Sequence, residues 1–494
     1  MEMIPNVDRP TVSAASRKAL FILGLIAFFL GANSPAENLN LPDLQDESAS
    51  LLSPLQERKL GEDFMRQARR HLDMLDDPEL NEYLRGLGRR LVAHSGRSPE
   101  DFRFFLVNDA NVNAFAVPGG FILVFTGLVL ATRNEAELAA VLAHETAHLT
   151  QRHWPRLLAE AKRTSGPAMA AMLAAILLAG ASGQAGGAAV ALTAATGAQQ
   201  QLNSSRAFEQ EADRIGMGIL ATAGYDARAM PAFFERLLSQ SRLYESNLPE
   251  FLRTHPITTR RLSESSDQAE QHPRRSAPDS TNFAHAQAKI RALAKDSPDE
   301  TVNAFRNALS NGNSRQADAE RYGYVWALIG NRQYAEARRE IAPLIQRRPD
   351  YPPYRIAQAE IEMSAGRQAE GLAIYVAALK KSPGERALER RYAAALLKAG
   401  EAKTARELLK KVVRQQPGDP ALYKMLATAA GETGARFEAH QALAEHYYLS
   451  GNSQAALEQL HIARRFAGDS FYTLSSLEAR VKEIKEEMAL YREQ

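Results

Sequence analysis

In this chain, His144-Glu145-Thr146-Ala147-His148 has the residue types and spacing to do chemistry. Four residues make about one helical turn, so the two imidazoles share one helix face. Neutral imidazoles placed there can hold a zinc ion. The glutamate beside the first can take a proton from a water at the same ion. The chemistry implied is metal-assisted peptide hydrolysis. With 11 histidines in 494 residues, about 0.03 chance matches to the pattern are expected, so coincidence explains it poorly.

A catalytic zinc needs three protein ligands and an open position. The extended metzincin form is absent, because Gln151 and Trp154 stand where it requires glycine and histidine. His153 follows His148 by five residues, which turns it to another helix face and sets it aside as a ligand. Downstream, the stretch Arg206 to Gly216 puts Glu209 and Asp213 four residues apart on one face. Glu209 can bind the ion while Asp213 accepts a hydrogen bond from a ligand imidazole. The same spacing also suits a solvated acidic face paired with Arg206 and Arg214. Glu211 points elsewhere and is the weaker candidate.

The surrounding elements have to position these groups. Leu60, Phe64, Ala68 and Leu72, then Leu80, Tyr83, Leu84, Leu87 and Leu91, recur at helical spacing, and Asp77-Pro78 marks a helix start. Phe102–Val107, Asn113–Val117 and Phe121–Phe125 read as three short strands, with a tight turn at Pro118-Gly119-Gly120. A helix from about Asn134, with Glu137 at the capping-box position, carries both motif histidines and is expected to end near Trp154-Pro155. Residues 165–200, rich in Ala and Gly, read either as packed helices with an elbow or as a lid over the site.

Farther on, Pro349, Pro383 and Pro417 are spaced 34 residues apart, as are Gly366, Gly400 and Gly434. A 34-residue period of two helices is the tetratricopeptide pattern. About four repeats are expected, with similar turns at Gly330 and Gly451. The phase changes near the end, because Gly434 and Gly451 are only 17 residues apart. Stacked repeats form a curved solenoid that docks peptides or proteins; a purely structural appendage is the other reading.

At 494 residues the chain calls for two or more domains. A net charge of +2 gives no reason to expect nucleic acid. The absence of cysteine excludes disulfides, thiolate ligands and a lipidated N-terminal cysteine. Arg17 and Lys18 precede the apolar run Ala19–Leu30 and the small-residue exit Gly31–Ala36, the layout of a secretory signal. A helix of that length spans about 18 Å against about 30 Å of bilayer. Cleavage after Ala36 is expected, with an inner-membrane anchor at residues 19–30 as the alternative.

Together, H-E-x-x-H (His144, Glu145, His148) and E-x-x-x-D (Glu209, Asp213) resemble the zinc peptidase family that includes the CAAX prenyl protease and the heat-shock protease HtpX. The resemblance implies a gluzincin site with one Zn2+ per chain. His144, His148 and Glu209 would be ligands, Glu145 the catalytic base, and Asp213 the hydrogen-bond partner of a ligand imidazole. It also implies that Asn113, Ala114, Phe115 and Ala116 lie in the strand that pairs with substrate. The signal and the repeats are similar to the family's periplasmic, repeat-bearing members. That likeness implies that His255, in the step His255-Pro256, is a gating fourth ligand, and that Arg261 is a catalytic aid steadying the site or the developing oxyanion. His255 also reads as a plain helix-end histidine. His272-Pro273 lies in the linker and ranks lower.

The expected fold is mainly α: a zincin-type α+β metallopeptidase domain with a small β-sheet, then an all-α tetratricopeptide solenoid. The expected division is a signal at 1–36, the peptidase at 37–265, a linker with a connecting helix at 266–300 and repeats at 301–494. The resemblance implies a zinc endopeptidase acting on unfolded or misassembled exported polypeptides in the periplasm. Outer-membrane β-barrel assembly machinery would dock on the repeats, with peripheral membrane association. The rival is a periplasmic chaperone or scaffold with a mostly latent metal site. A membrane-embedded prenyl-protein protease would need several 18-residue apolar spans, which the sequence lacks.

Overall fold

The structure is a computed structural model that describes residues 52–157, 195–243, 249–275, 280–293, 297–310, 317–468 and 470–490. The expected signal and most of the Ala/Gly-rich stretch lie outside these residues. Among the described residues, no helix is long and apolar enough to cross a membrane.

Helix α1 (Pro54–His71) starts at a capping box, in which Ser53 Oγ accepts from Gln56 N and Gln56 Oε1 accepts from Ser53 N. Helix α2 (Pro78–Val92) is capped by Asp77, which accepts from the backbone of Glu79 and Leu80. Its leucine stripe, Leu80, Leu84, Leu87 and Leu91, is buried against the sheet and the helices behind it. Each such side chain stabilises by about 1.5–3 kcal/mol.

Strands β1 (Arg103–Val107), β2 (Ala114–Val117) and β3 (Phe121–Phe125) form one sheet in the order β1-β3-β2. β1 pairs parallel and β2 antiparallel to β3. β3 is central and buried along its whole length, which its unbroken apolar run requires. The turn before it needs glycine, since Gly120 has φ +88 and a Cβ there would lie 1.9 Å from Asp101 O. The outer side of β1 is covered by residues 74–75, through the Met74–Val107 bridge and a bond from Leu75 N to Leu106 O.

After α3 (Thr126–Ala131) comes α4 (Glu135–Thr150), the helix of the histidine motif. Asn134 caps it by accepting from Glu137 N. The Glu137 carboxylate reaches one residue beyond the box, to Arg133 N, and also pairs with Arg236. The helix does not run to Trp154-Pro155 as expected. It stops at Thr150, Arg152 takes a left-handed φ of 51°, and a new helical turn covers residues 153–157. Pro155 is tolerated because it sits in the first turn of that new segment.

Helix α5 (Ala195–Thr222) runs antiparallel to α4 and packs closely on it. Gly216 allows the approach: a Cβ at this position would lie 3.0 Å from the His144 backbone. Helices α6 (Ala229–Leu243), α7 (Glu250–Thr254) and α8 (Thr259–Glu270) close the site from the other side, with Phe233, Phe234 and Phe251 buried between them. The polar stretch from 264 onward is still helical to Glu270, with Ser265 and Ala269 buried, so the helix enters the stretch read as linker.

Helices α9 (Thr281–Leu293) and α10 (Pro298–Ser310) lead into four helix pairs. These are α11 (Ala317–Gly330) with α12 (Tyr334–Arg347), α13 (Pro352–Ser364) with α14 (Gln368–Lys381), α15 (Arg386–Lys398) with α16 (Ala402–Gln415), and α17 (Pro420–Glu432) with α18 (Arg436–Leu449). α19 (Ser453–Arg464) and α20 (Phe471–Leu490) follow. The apparent phase change has a simple cause. Gly366, Gly400 and Gly434 turn the chain within pairs, whereas Gly451 turns it after a pair, at the step of Pro349, Pro383 and Pro417.

The repeats lie against α1 and the start of α2. Lys289 of α9, buried over the Trp326 ring, pairs with Asp77 and Glu79, and Arg391 of α15 also reaches Asp77, at 2.6 Å. Arg390 pairs with Asp76. From α1, Arg66 pairs with Glu487 and Arg69 donates to Leu449 O at 2.8 Å.

Candidate metal centre

α4 brings His144 Nε2 and His148 Nε2 within 3.0 Å of one another. α5 adds Glu209, with Oε2 3.4 Å from His144 Nε2 and Oε1 3.4 Å from His148 Nε2. Ligand atoms at the corners of a zinc tetrahedron lie about 3.3–3.4 Å apart, given bonds of about 2.0–2.1 Å. The two nitrogens and the carboxylate therefore fit a single ion. His255 is the fourth member of the group, and all four donor atoms lie within 4.8 Å of one another. Its Nδ1 is 3.1 Å from both Glu209 oxygens, and its Nε2 is 3.3 Å from Glu145 Oε1. His255 is also a helix-end residue, the C-cap of α7, with its N–H donating to Phe251 O.

The electrostatics suit a cation. Burial works to raise the Glu209 carboxyl, but the facing His255, Arg261 and His148 hold it well below the usual carboxylate range. Burial works to lower the His144 ring, yet Asp213 and Glu209 outweigh it and raise the ring to about 10. Burial pushes the His148 ring down to about 3. Both rings face Glu209. They differ because the Asp213 carboxylate also raises His144, whereas the neighbouring His144 and His255 lower His148 further.

Behind His144, Nδ1 lies 3.0 Å from Asp213 Oδ1. Arg261 grips Asp213 with two bonds, Nε at 2.7 Å and Nη2 at 2.8 Å. Its Nη1 lies 3.0 Å from Glu209 Oε2 and donates to Pro256 O. The guanidinium is buried and committed to these acceptors.

Glu145 is buried beside the cluster, and its Oε1 makes no hydrogen bond. Burial raises its carboxyl above the ordinary range, as suits a proton acceptor working near neutral pH.

β2 is the sheet edge that α4 approaches. Phe125 N donates to Asn113 O, so Asn113 and Phe115 turn their backbone groups toward β3 while Ala114 and Ala116 turn theirs outward. Of the four expected strand residues, these two turn their backbone groups away from β3. The Trp154 indole N–H donates to Ala116 O at 3.0 Å.

Helical spacing missed His153. The break at Arg152 swings it behind His148, where the two Nδ1 atoms are 2.9 Å apart. Its Nε2 is 3.3 Å from Glu211 Oε2, and Arg156 holds Glu211 at 2.8 Å. Burial pushes the His153 ring down to about 4, so it is neutral near pH 7. No periodicity signals the break, because Thr150-Gln151-Arg152 would also fit a continuous helix. His272 lies after α8, outside the four-residue group.

Two histidines and a glutamate from two packed antiparallel helices, a second glutamate alongside and the edge strand of a sheet beside them define a metallopeptidase. Residues 78–269 match peptidase family M48, and residues 362–430 match a tetratricopeptide repeat. The chain is 36% identical over 428 residues to the β-barrel assembly-enhancing protease of Yersinia pestis, covering 86% of this chain and 87% of that one. It is 32% identical over 452 residues to the protein of the same name from Escherichia coli strain K12, covering 90% and 92%. The mitochondrial metalloendopeptidase OMA1 of Arabidopsis thaliana is 32% identical over 213 residues, covering 41% of this chain and 39% of its own length. The chain belongs to peptidase family M48, and its C-terminal part is built of tetratricopeptide repeats.

Proposed function

We propose that this chain is a zinc-dependent endopeptidase that cuts locally unfolded exported polypeptides in the quality control of outer-membrane β-barrel assembly. The observation that carries the reading is the meeting of His144, His148 and Glu209 around one point, with Glu145 beside it. Two relatives that match along most of the chain bear the name β-barrel assembly-enhancing protease, which supports the reading.

When bound, zinc supplies a Lewis acid that polarises the scissile carbonyl and acidifies water. Glu145 takes the proton of the attacking water and returns it to the leaving amine. The β2 edge, through the outward backbone groups of Ala114, pairs with the substrate backbone, which requires an extended stretch and so selects against folded targets. Arg261 and Asp213 keep Glu209 and His144 oriented. His255 holds the site idle until it withdraws. The peptidase unit includes all of α8, to about residue 270, and the repeats from about 301 dock clients or the assembly machinery. The chain acts in the periplasm, exported by the segment 1–36.

The position of His255 within the donor group also favours a second reading, a periplasmic scaffold whose metal site is mostly latent. Glu145→Gln separates the two. The peptidase reading expects loss of casein-type cleavage with zinc retained, together with failure to clear misassembled clients. If client maturation and clearance are normal in this variant, the scaffold reading stands.

A further inference from the structure

We propose that His153 and Glu211 are positioning residues that fix the orientation and tautomer of His148, and so set how tightly the site holds its metal. This rests on the reading of His148 as a ligand. A ligating imidazole offers one nitrogen to the ion and needs its other N–H fixed by an acceptor. For His144 that acceptor is Asp213, 3.0 Å away. Among the described residues, an imidazole rather than a carboxylate stands behind His148. The His148 Nδ1 meets His153 Nδ1 at 2.9 Å.

One proton arrangement satisfies this row. His148 keeps its lone pair on Nε2 for the ion and carries its proton on Nδ1, donating to His153 Nδ1. His153 then carries its own proton on Nε2 and donates to Glu211 Oε2 at 3.3 Å. Arg156 Nη1 secures Glu211 at 2.8 Å. The ring of His153 is buried and stacks on Phe208, with centroids 4.8 Å apart and planes 20° apart. Arg156 lies over the same Phe208 ring, 4.6 Å from its centroid. Phe208 thus aligns both members of the relay on the α4 side.

Two supports therefore back the two imidazoles, and α5 supplies both acids. Asp213 serves His144 directly and is held by Arg261. Glu211 serves His148 through an intervening neutral ring and is held by Arg156. The left-handed residue Arg152 makes the second support possible by turning the chain at the end of α4. A helix continued through 153 would carry that ring to another face.

The test is zinc affinity, measured on the full chain by competition with a chelator of known affinity. His153→Phe keeps the ring against Phe208 but removes the acceptor. His153→Asn keeps an acceptor near the position of Nδ1. Loss of such an outer partner weakens metal binding by about 10–100-fold. That loss is expected for His153→Phe, a smaller one for Glu211→Ala, and most of the affinity should return in His153→Asn. A mere packing role would give the opposite order, with Phe tolerated and Asn harmful. Should His153→Phe not fold, Glu211→Ala decides, since its side chain is partly exposed. Wild-type affinity in both His153→Phe and Glu211→Ala, or in Glu211→Ala where it alone folds, overturns the proposal. A wild-type chain that binds no zinc would overturn instead the ligand reading beneath it.

Discussion

Arg261 donates to Asp213 through two parallel bonds, Nε to Oδ2 at 2.7 Å and Nη2 to Oδ1 at 2.8 Å, while its Nη1 reaches Glu209. One guanidinium on α8 thus anchors both acids that α5 aims at the histidine helix. It ties the closing helices to the metal centre.

Removing that anchor leaves two buried carboxylates without their fixed cation. Arg261→Ala is expected to destabilise the zinc-free protein by about 3–5 kcal/mol, and the zinc-loaded protein by less. Arg261→Lys should recover little, because an ammonium cannot make the paired bonds. Urea unfolding with and without zinc measures both. Equal losses in the two forms would show that Arg261 serves packing alone.

His255 lies where a fourth donor would close the site. His255→Ala is expected to raise basal cleavage of an unfolded protein substrate. Relief of a contact worth about 1.4 kcal/mol corresponds to a tenfold rise. Unchanged or lower activity in a zinc-loaded variant would remove the gate.

His285 of α9 is buried, with Nδ1 2.6 Å from Thr281 O and Nε2 2.9 Å from the Tyr354 hydroxyl. Burial pushes its ring down from 6.5 to about 4. Below pH 6.5 the unfolded chain takes up a proton that the folded one refuses, so stability falls as pH drops from about 6.5 to about 4 and levels off below. A shift of that size corresponds to about 3 kcal/mol. His285→Gln should flatten this limb of a stability-versus-pH curve. An unchanged slope would contradict it.

Lys289 is enclosed between Asp77, Glu79 and the Trp326 ring. Lys289→Met is expected to cost about 3–5 kcal/mol, since it leaves buried carboxylates short of a partner. Adding Glu79→Leu should restore part of it. Thermal unfolding of both variants gives the comparison, and an additive double variant would show that the two side chains do not interact.

Local pattern made much of this legible. The leucines of α2, the alternation of strands and turn before α4, and the 34-residue step of the repeats all follow from periodicity, which packing enforces. Helical spacing also put Glu209 and Asp213 on one face of α5. The break at Arg152 was not legible, because it rests on one left-handed residue in a polar stretch, and His153 was lost with it. Nor was the seating of the repeats on α1 and α2. Arg66, Arg69, Arg390 and Arg391 are scattered among ordinary surface charges in sequence, and their partners lie hundreds of residues away.

The central claim is that α4 and α5 together clasp one cation. The most direct measurement is zinc content per chain after dialysis against a weak chelator, for wild type and for Glu209→Gln. One zinc per chain in the wild type and little in the folded variant is the predicted result. A wild type without zinc, or a variant that keeps its full complement, would contradict it.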